Sequence, residues 1–320
     1  MINPWLYIKC PESDANGRRV DSEHPLDFFW GKDYEAHYLL ILQLEEGQEI
    51  KIQDYPDLRG IDVILSRKPS EDSYHKFILK LRNQDDWEIF YSLCSDIINA
   101  TRLCADVTIA IPVITQRLYH WQEFMKKNQN ILLSEQQIRG LIGELLFLKN
   151  HLTPLFGLKQ SLSFWQGPEG YPQDFNVNNS SIEIKTRLLN ASATIIISSL
   201  DQLSSTGDNL YLHVFCLSRS SSNHSGSFTL YHLVNDINSC LVAAPAEAAR
   251  FDNLLYNIGY FHSEIYNEQY YLCAEEKTYQ VSAGFPRITS ADVSHGIITA
   301  NYTIDLLACE KFACQQNWRH

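Results

Sequence analysis

The sequence has no long hydrophobic run, no segment with the pattern of a secretory leader and no paired cysteine motif. Its longest apolar runs, such as residues 38–42, are far shorter than the roughly 20 residues needed to cross a bilayer. Residues 1–20 carry charges and prolines where a secretory signal has an apolar core. None of the eight cysteines belongs to a CxxC pair, so we expect reduced thiols. We therefore expect a cytoplasmic protein with no membrane partner.

Basic residues are scarce relative to acidic residues. The chain has 26 Lys and Arg against 38 Asp and Glu, a net charge of −12. Such a charge repels a polyanion at long range and argues against a stand-alone nucleic-acid binder. Any contact with DNA is therefore expected at a limited site and not over the protein surface as a whole. Residues 1–105 hold more than half of the excess negative charge, which favours a partner-binding role for this part of the chain.

Zinc-binding spacings are also lacking. Cys309, Cys314 and His320 lie close together in the sequence, but their spacing matches no common zinc motif, and packing of reduced thiols is the favoured interpretation. The eleven histidines show no metal-pair spacing on a common element. The sequence thus predicts no zinc site and assigns no histidine a role.

The 320 residues exceed what one hydrophobic core usually serves, so several packed units are predicted. Four segments differ in pattern: a β-rich N-terminal domain at 1–105, a helical linker at 106–133, an α/β core at 134–260 and a β-rich C-terminal extension at 261–320. In the first, turn residues separate short β-rich runs, which predicts a small antiparallel β unit. These runs are His37–Leu44, Glu49–Gln53, Ile61–Ser66 and Lys76–Arg82.

The predicted core begins with a capping box at Ser134–Gln137, followed by a helix to about Leu152 that Pro154 ends. Gly140 and Gly143 suggest close approach of this helix to a neighbour. Strands and helices then alternate, which defines an α/β core. The predicted strands are Gln173–Val177, Ser181–Arg187, Ala193–Ile197 and Leu210–Leu217, with helical segments at Ser198–Leu203 and Tyr231–Ile258.

The chemistry is predicted at the hairpin formed by the first two of these strands. Side chains alternate across a strand, so Glu183 and Lys185 share one face, and the turn brings Asp174 beside Glu183. Two carboxylates that converge repel each other unless a cation lies between them, and oxygen ligands suit Mg²⁺ or Mn²⁺. Lys185 can orient and help deprotonate a water beside that metal. The pattern predicts metal-assisted phosphodiester hydrolysis.

Other candidate residues flank this hairpin. Glu144 on the capped helix is a candidate for a water-mediated metal contact or a second ion, and Gln202 and Ser198 are candidates for contacts with substrate or water. Arg187 and Thr186 are candidates for holding the scissile phosphate. Several candidates also have an ordinary structural interpretation: an ion pair for Glu183 and Lys185, a strand-entry or turn position for Asp174, a helix-surface ion pair for Glu144, and helix capping for Gln202 and Ser198.

Five segments together resemble the motif string of an uncharacterised bacterial family, DUF4420, of the PD-(D/E)XK nuclease superfamily. They are Gly140–Leu148, Phe164–Pro168, Gln173–Phe175, Ile182–Thr186 and Ile197–Leu203, and Phe285–Ile288 resembles a further family element. The resemblance implies a restriction-endonuclease-like mixed sheet flanked by helices, with an N-terminal antiparallel β unit and a C-terminal β/α extension. It also implies Mg²⁺-dependent (or Mn²⁺-dependent) cleavage of DNA and a place in bacterial restriction or antiphage defence.

Transferred position by position, the resemblance makes Asp174, Glu183, Ile184 and Glu144 the metal-binding residues and Lys185 the catalytic lysine, with Gln202 as an additional catalytic residue. Pro172 is displaced from the position next to Asp174, but only the aspartate has a chemical role. The expected partners are DNA and other protein subunits of a defence system.

Two alternatives to a restriction or defence endonuclease remain open. The first is a non-catalytic subunit that keeps the nuclease fold as a scaffold or DNA-recognition module. The second is a homodimer that resolves branched DNA, which requires an isologous interface that places two active sites at a matched spacing.

Overall fold

A computed structural model of the protein describes residues 3–44, 55–67, 74–127, 132–204, 209–261 and 264–319. Within these ranges the chain forms seven α-helices and three β-sheets. Its contacts define two compact units, Met1–Leu132 with Phe261–Ser263, and Leu133–Tyr260 with Glu264–His320. Residues 106–133, predicted as a linker, thus fall almost wholly in the first unit, and the C-terminal extension falls largely in the second.

The first unit contains a five-stranded antiparallel sheet in the order β1-β2-β3-β5-β4. Its strands are β1 (Ala15–Arg19), β2 (Phe28–Asp33), β3 (Tyr38–Gln43), β4 (Ile61–Arg67) and β5 (Tyr74–Leu81). Two helices follow, α1 (Trp87–Ala100) and α2 (Val107–Lys127). This confirms the predicted antiparallel β unit. The predicted run Glu49–Gln53 lies outside the described residues.

The second unit contains a mixed sheet in the order β12-β10-β9-β7-β6, in which β7 and β9 are parallel and the other neighbours antiparallel. The strands of this unit are β6 (Phe175–Val177), β7 (Ser180–Leu188), β8 (Thr194–Ile197), β9 (Asn209–Ser220), β10 (Tyr270–Gln280), β11 (Tyr302–Asp305) and β12 (Ala313–Cys314). β8 pairs with β11 in a separate two-stranded sheet. Hence β10 and β12 of the C-terminal extension complete the mixed sheet, and β11 pairs beside it.

Five helices belong to this unit: α3 (Glu135–Phe147), α4 (Thr153–Phe156), α5 (Leu158–Phe164), α6 (Leu230–Leu241) and α7 (Pro245–Ile258). The predicted capping box is present, because Ser134 and Gln137 exchange both side-chain to backbone hydrogen bonds. A π-helical segment, Leu148–Leu152, follows α3, and Pro154 lies in the first turn of α4 instead of ending a helix. The single helix predicted at Tyr231–Ile258 is two helices, because Pro245 favours a helix start.

The mixed sheet is covered on both faces. On one face α3 packs so closely that a Cβ at Gly143 would lie 2.6 Å from Thr186 Cγ2 and 3.1 Å from Ile184 Cγ2. On the other face Leu212 and Val214 of β9 join a buried apolar cluster with residues of β8, β10 and β11. This layered α/β arrangement, with a mixed sheet, confirms the predicted fold class.

Gly140 and Gly143 provide a matched test of this packing. Gly143→Ala is expected to lower the free energy of unfolding by about 1–3 kcal/mol, because the β-branched Thr186 cannot move away cheaply. Gly140→Ala is expected to raise it by up to about 1 kcal/mol, since no described heavy atom outside the adjoining helix backbone lies within 4 Å of its Cβ position and alanine favours the helix. Urea unfolding of both variants measures the difference, and equal stabilisation by both would contradict the close approach.

Candidate active site

A two-residue hairpin loop positions the first acidic side chain. Asn178 adopts φ of 54°, which a tight turn between β6 and β7 requires, and Phe175 pairs with Ile182. Just before β6, Asp174 Oδ2 accepts a hydrogen bond of 2.7 Å from the Ile184 backbone N–H. The predicted hairpin therefore forms, and it fixes Asp174 against β7.

Glu183 and Lys185 form an ion pair along β7. Lys185 Nζ lies 2.7 Å from Glu183 Oε1, and Glu183 is only 1% exposed. The second oxygen, Glu183 Oε2, is buried with no hydrogen-bond partner in the described part of the chain. A buried carboxylate oxygen without a donor is costly, so this atom is a candidate ligand for a cation.

Glu144 approaches the hairpin from α3. Its Oε2 accepts a hydrogen bond of 2.6 Å from the indole N–H of Trp165, which is fully buried. A Cβ at Gly167 would lie 2.9 Å from Asp174 Oδ1 and 3.5 Å from Glu144 Oε2, so both carboxyl groups flank this glycine. Sequence reasoning did not identify Trp165 and Gly167 as neighbours of the acidic groups. In the sequence, only their presence in the motif segment Phe164–Pro168 indicates that Trp165 and Gly167 belong to this site.

The Gln202 side chain ties Lys185 to the loop after β8. Gln202 Oε1 accepts hydrogen bonds from Lys185 Nζ at 3.2 Å and from the Ser198 backbone N–H at 2.7 Å. The helix start predicted at Ser198–Leu203 is wrong, because these residues form bends and a turn. The Gln202 amide therefore does not cap a helix, and it helps to hold the Lys185 ammonium.

The residues predicted to contact the substrate have other contacts in the structure. Arg187 donates a hydrogen bond of 3.2 Å to Glu275 Oε1 of β10, which already engages its guanidinium. Thr186 directs its methyl group toward Gly143 of α3, on the face opposite Lys185. Ser198 is exposed beside Gln202. The structure thus brings together Glu144, Asp174, Glu183, Lys185 and Gln202, and it leaves Arg187 and Thr186 with structural contacts.

The acidic pocket formed by Glu144, Asp174, Glu183 and Lys185 has one buried and two partly buried carboxyl groups beside one ammonium. Burial raises the pKa of Asp174 to about 6, although Lys185 and the Ile184 N–H favour its charged form. Burial, reinforced by the charge of Asp174, also raises the pKa of Glu144 and of Glu183 well above the ordinary range. For Lys185, burial opposes the charge, but Glu183 outweighs it and the pKa is raised. The pocket thus has more acidic groups than one lysine neutralises.

The donor set fits a hard divalent cation. Asp174 and Glu183 supply carboxylate oxygens, and Glu183 Oε2 is without another partner within the described ranges. The N–H and C=O of one strand residue point to the same side, so the Ile184 carbonyl lies on the Asp174 side of β7. Glu144, which flanks Gly167 together with Asp174, supplies a further carboxyl group. Among the described residues, sets of three ligand atoms within 4.8 Å of one another occur at Asp33/Glu35/His37 and at His151/His213/Glu276, and the acidic pocket is not such a set. The carboxylate oxygens of the acidic pocket are therefore farther apart than the ligand atoms of those two clusters.

A mixed sheet with a helix on one face, an Asp before one strand and a Glu-x-Lys on the next is the arrangement of the PD-(D/E)XK class. The chain belongs to the family described as "Putative PD-(D/E)XK family member, (DUF4420)", whose model matches residues 1–307. No curated protein and no solved structure matches the sequence. No helix among the described residues has both the length and the hydropathy to span a membrane.

Proposed function

We propose that the protein is a Mg²⁺-dependent or Mn²⁺-dependent endonuclease that hydrolyses DNA phosphodiester bonds within a bacterial restriction or antiphage defence system. One observation carries the proposal: the hairpin holds Asp174, Glu183 and Lys185 together, with a buried Glu183 oxygen that has no hydrogen-bond partner within the described ranges. A structural ion pair alone does not account for that oxygen. Membership in the family supports the same class of reaction.

Each residue of the pocket has a defined task in this proposal. Asp174, Glu183 and the Ile184 carbonyl would hold the ion, and Glu144 would add a further carboxylate. A bound divalent ion supplies Lewis acidity that stabilises charge on the phosphoryl oxygens. Glu183 and Gln202 hold the Lys185 ammonium, whose raised pKa keeps it protonated at neutral pH. Lys185 therefore acts as a hydrogen-bond donor that orients the attacking water and does not take its proton.

The reaction is a displacement at phosphorus. The oxygen of water forms the new P–O bond, and one bridging P–O bond breaks with its electron pair leaving on the oxygen. One proton of the water ends on the released hydroxyl group and the other on the phosphate. The three carboxylates and one lysine of the pocket do not bind a polyanion on their own, so cleavage depends on the ion.

We propose that protein partners deliver the DNA. The net charge of −12 disfavours spontaneous DNA binding, and Arg187 is engaged by Glu275. The acidic N-terminal unit is the candidate surface for such subunits. A second copy of the chain is a further candidate partner.

Plasmid cleavage with and without a divalent ion tests the proposal. The purified 320-residue chain is expected to nick supercoiled plasmid in Mn²⁺ and to lose this activity in EDTA. Glu183→Gln is expected to lower the rate by at least about 10²-fold, because it removes a charged ligand. Glu310→Gln, an exposed acid paired with Lys277, is the matched control and should retain full activity.

Equal nicking by the wild-type and Glu183→Gln proteins would overturn the assignment of the active site. Binding of Mn²⁺ to the wild-type protein without cleavage, even when DNA is presented at low salt, would favour the non-catalytic scaffold. An acidic protein can fail to engage DNA on its own. Isothermal titration calorimetry therefore measures Mn²⁺ binding separately from the cleavage assay.

A further inference from the structure

A cluster of two histidines and one glutamate lies on the mixed sheet away from the acidic pocket. His151 Nε2 is 3.1 Å from Glu276 Oε2, and His213 Nε2 is 3.8 Å from the same oxygen. One ligand atom from each of the three residues lies within 4.8 Å of the others. In the sequence these residues are more than 60 positions apart, which is why no metal-binding spacing is visible there.

The buried imidazole of His213 has a free nitrogen. His213 is 2% exposed, its Nδ1 lies 2.8 Å from Thr278 Oγ1, and its Nε2 has no hydrogen-bond partner in the part of the chain that the structure describes. The Glu276 oxygen at 3.8 Å is too distant for a hydrogen bond. When Nδ1 donates its proton to Thr278, Nε2 carries the lone pair that a metal ligand requires.

The remaining structure around the cluster is that of an accessible site. His151 belongs to the π-helical segment Leu148–Leu152, a type of distortion that is frequent at functional sites. His151, His213 and Glu276 line one cavity of about 560 Å³, together with Cys314 and Trp318. His151 and Glu276 are partly exposed, so the cavity is open to solvent ions.

This cluster lies on the opposite face of the sheet from Glu183 and Lys185. His213 pairs with Ile184 in the parallel register of β7 and β9, so the two side chains point to the same face. Glu183 and Lys185 flank Ile184 and therefore point to the other face. The histidine cluster is thus a separate group of side chains.

We infer that His151, His213 and Glu276 form a zinc site with three protein ligands and a fourth position open to the cavity. Two imidazole nitrogens and one carboxylate oxygen are the donors that Zn²⁺ prefers, in contrast with the all-oxygen acidic pocket. Thr278 fixes the His213 ring through Nδ1, as outer hydrogen bonds do at zinc sites. The ion would satisfy His213 Nε2 and join the π-helical segment to β9 and β10.

Zinc titration of the 320-residue chain tests this inference. The measurements use Asp174→Asn as the parent protein, which weakens binding at the acidic pocket. After treatment with EDTA and dialysis, the parent is expected to bind one equivalent of Zn²⁺, measured by competition with a chromophoric chelator. Glu276→Gln and His151→Asn are expected to bind Zn²⁺ at least tenfold more weakly. Both residues are partly exposed, so both variants should fold.

Glu275→Gln is the matched control, because it changes the neighbouring residue of β10, which pairs with Arg187 instead. It should bind Zn²⁺ as the parent does, and Co²⁺ substituted into both should give the visible absorption of a tetrahedral site. Failure of the parent to bind Zn²⁺ at micromolar concentration, or equal Zn²⁺ affinity of the parent and Glu276→Gln, would overturn the inference. His213→Gln, checked for folding by circular dichroism, provides the third ligand variant.

Discussion

Replacing Lys185 with methionine is expected to lower DNA cleavage by about 10³-fold and the free energy of unfolding by about 3 kcal/mol. The loss of cleavage follows from the missing ammonium beside the acidic groups. The loss of stability follows because Glu183 is 1% exposed and Lys185 is its ion-pair partner at 2.7 Å. Removing one member of a buried ion pair leaves the other as an uncompensated buried charge.

The two effects of this substitution can be separated. The double variant Lys185→Met with Glu183→Gln is expected to recover most of the stability and none of the cleavage, since no buried charge is then left unpaired. Urea unfolding in EDTA and plasmid cleavage in Mn²⁺ measure the two quantities. Lys159→Met is the control, because the exposed Lys159 pairs with Glu247 and an exposed ion pair contributes little to stability. Unchanged cleavage by Lys185→Met would rule out its role in the reaction.

Asp174→Asn is expected to abolish cleavage and to change how stability depends on pH. Because the pKa of Asp174 is raised from 3.8 to about 6, the folded protein holds this proton more tightly than the unfolded chain does. The stabilisation that the protonated Asp174 side chain gives to the folded state is therefore present below about pH 4 and is lost as the pH rises to about 6. The loss amounts to about 2–3 kcal/mol between pH 4 and pH 7.

An asparagine does not titrate, so the variant should lack this loss. Urea unfolding in EDTA at intervals from pH 4 to pH 8 is expected to show the variant gaining stability relative to the wild type as the pH rises. Added Mn²⁺ should stabilise the wild-type protein at pH 7 and leave the variant nearly unchanged. Asp201→Asn, an exposed acid near Gln202, is the control. Parallel pH curves for Asp174→Asn and the wild type would show that burial does not raise this pKa.

Without a bound metal ion, the acidic pocket lowers the free energy of unfolding. Three carboxyl groups with raised pKa values surround one lysine, so the pocket favours the folded state only when a proton or a cation neutralises them. Side chains selected for stability alone would not be arranged in this way. Asp174→Asn is therefore expected to trade activity for stability.

Local patterns determined much of the fold. The capping box at Ser134, the two-residue loop at Asn178 and the alternation of β7 are set by neighbours within a few residues, and all three are present. The same is true of the acidic hairpin, because a tight turn and strand alternation alone bring Asp174 beside Glu183 and Lys185. The expected nuclease core depends on these short-range rules.

Long-range packing determines side-chain contacts that these local patterns do not predict. Only the folded chain shows that Trp165 donates to Glu144, that Gly167 lies between two carboxyl groups and that Arg187 is engaged by Glu275. The histidine cluster is the clearest case, since His151, His213 and Glu276 come from a π-helical segment and two strands. Sequence spacing records only neighbours along one element, whereas sheet register and helix packing bring distant residues together. By itself the sequence determined the strand that presents Glu183 and Lys185, and the tertiary structure decided which other side chains surround them.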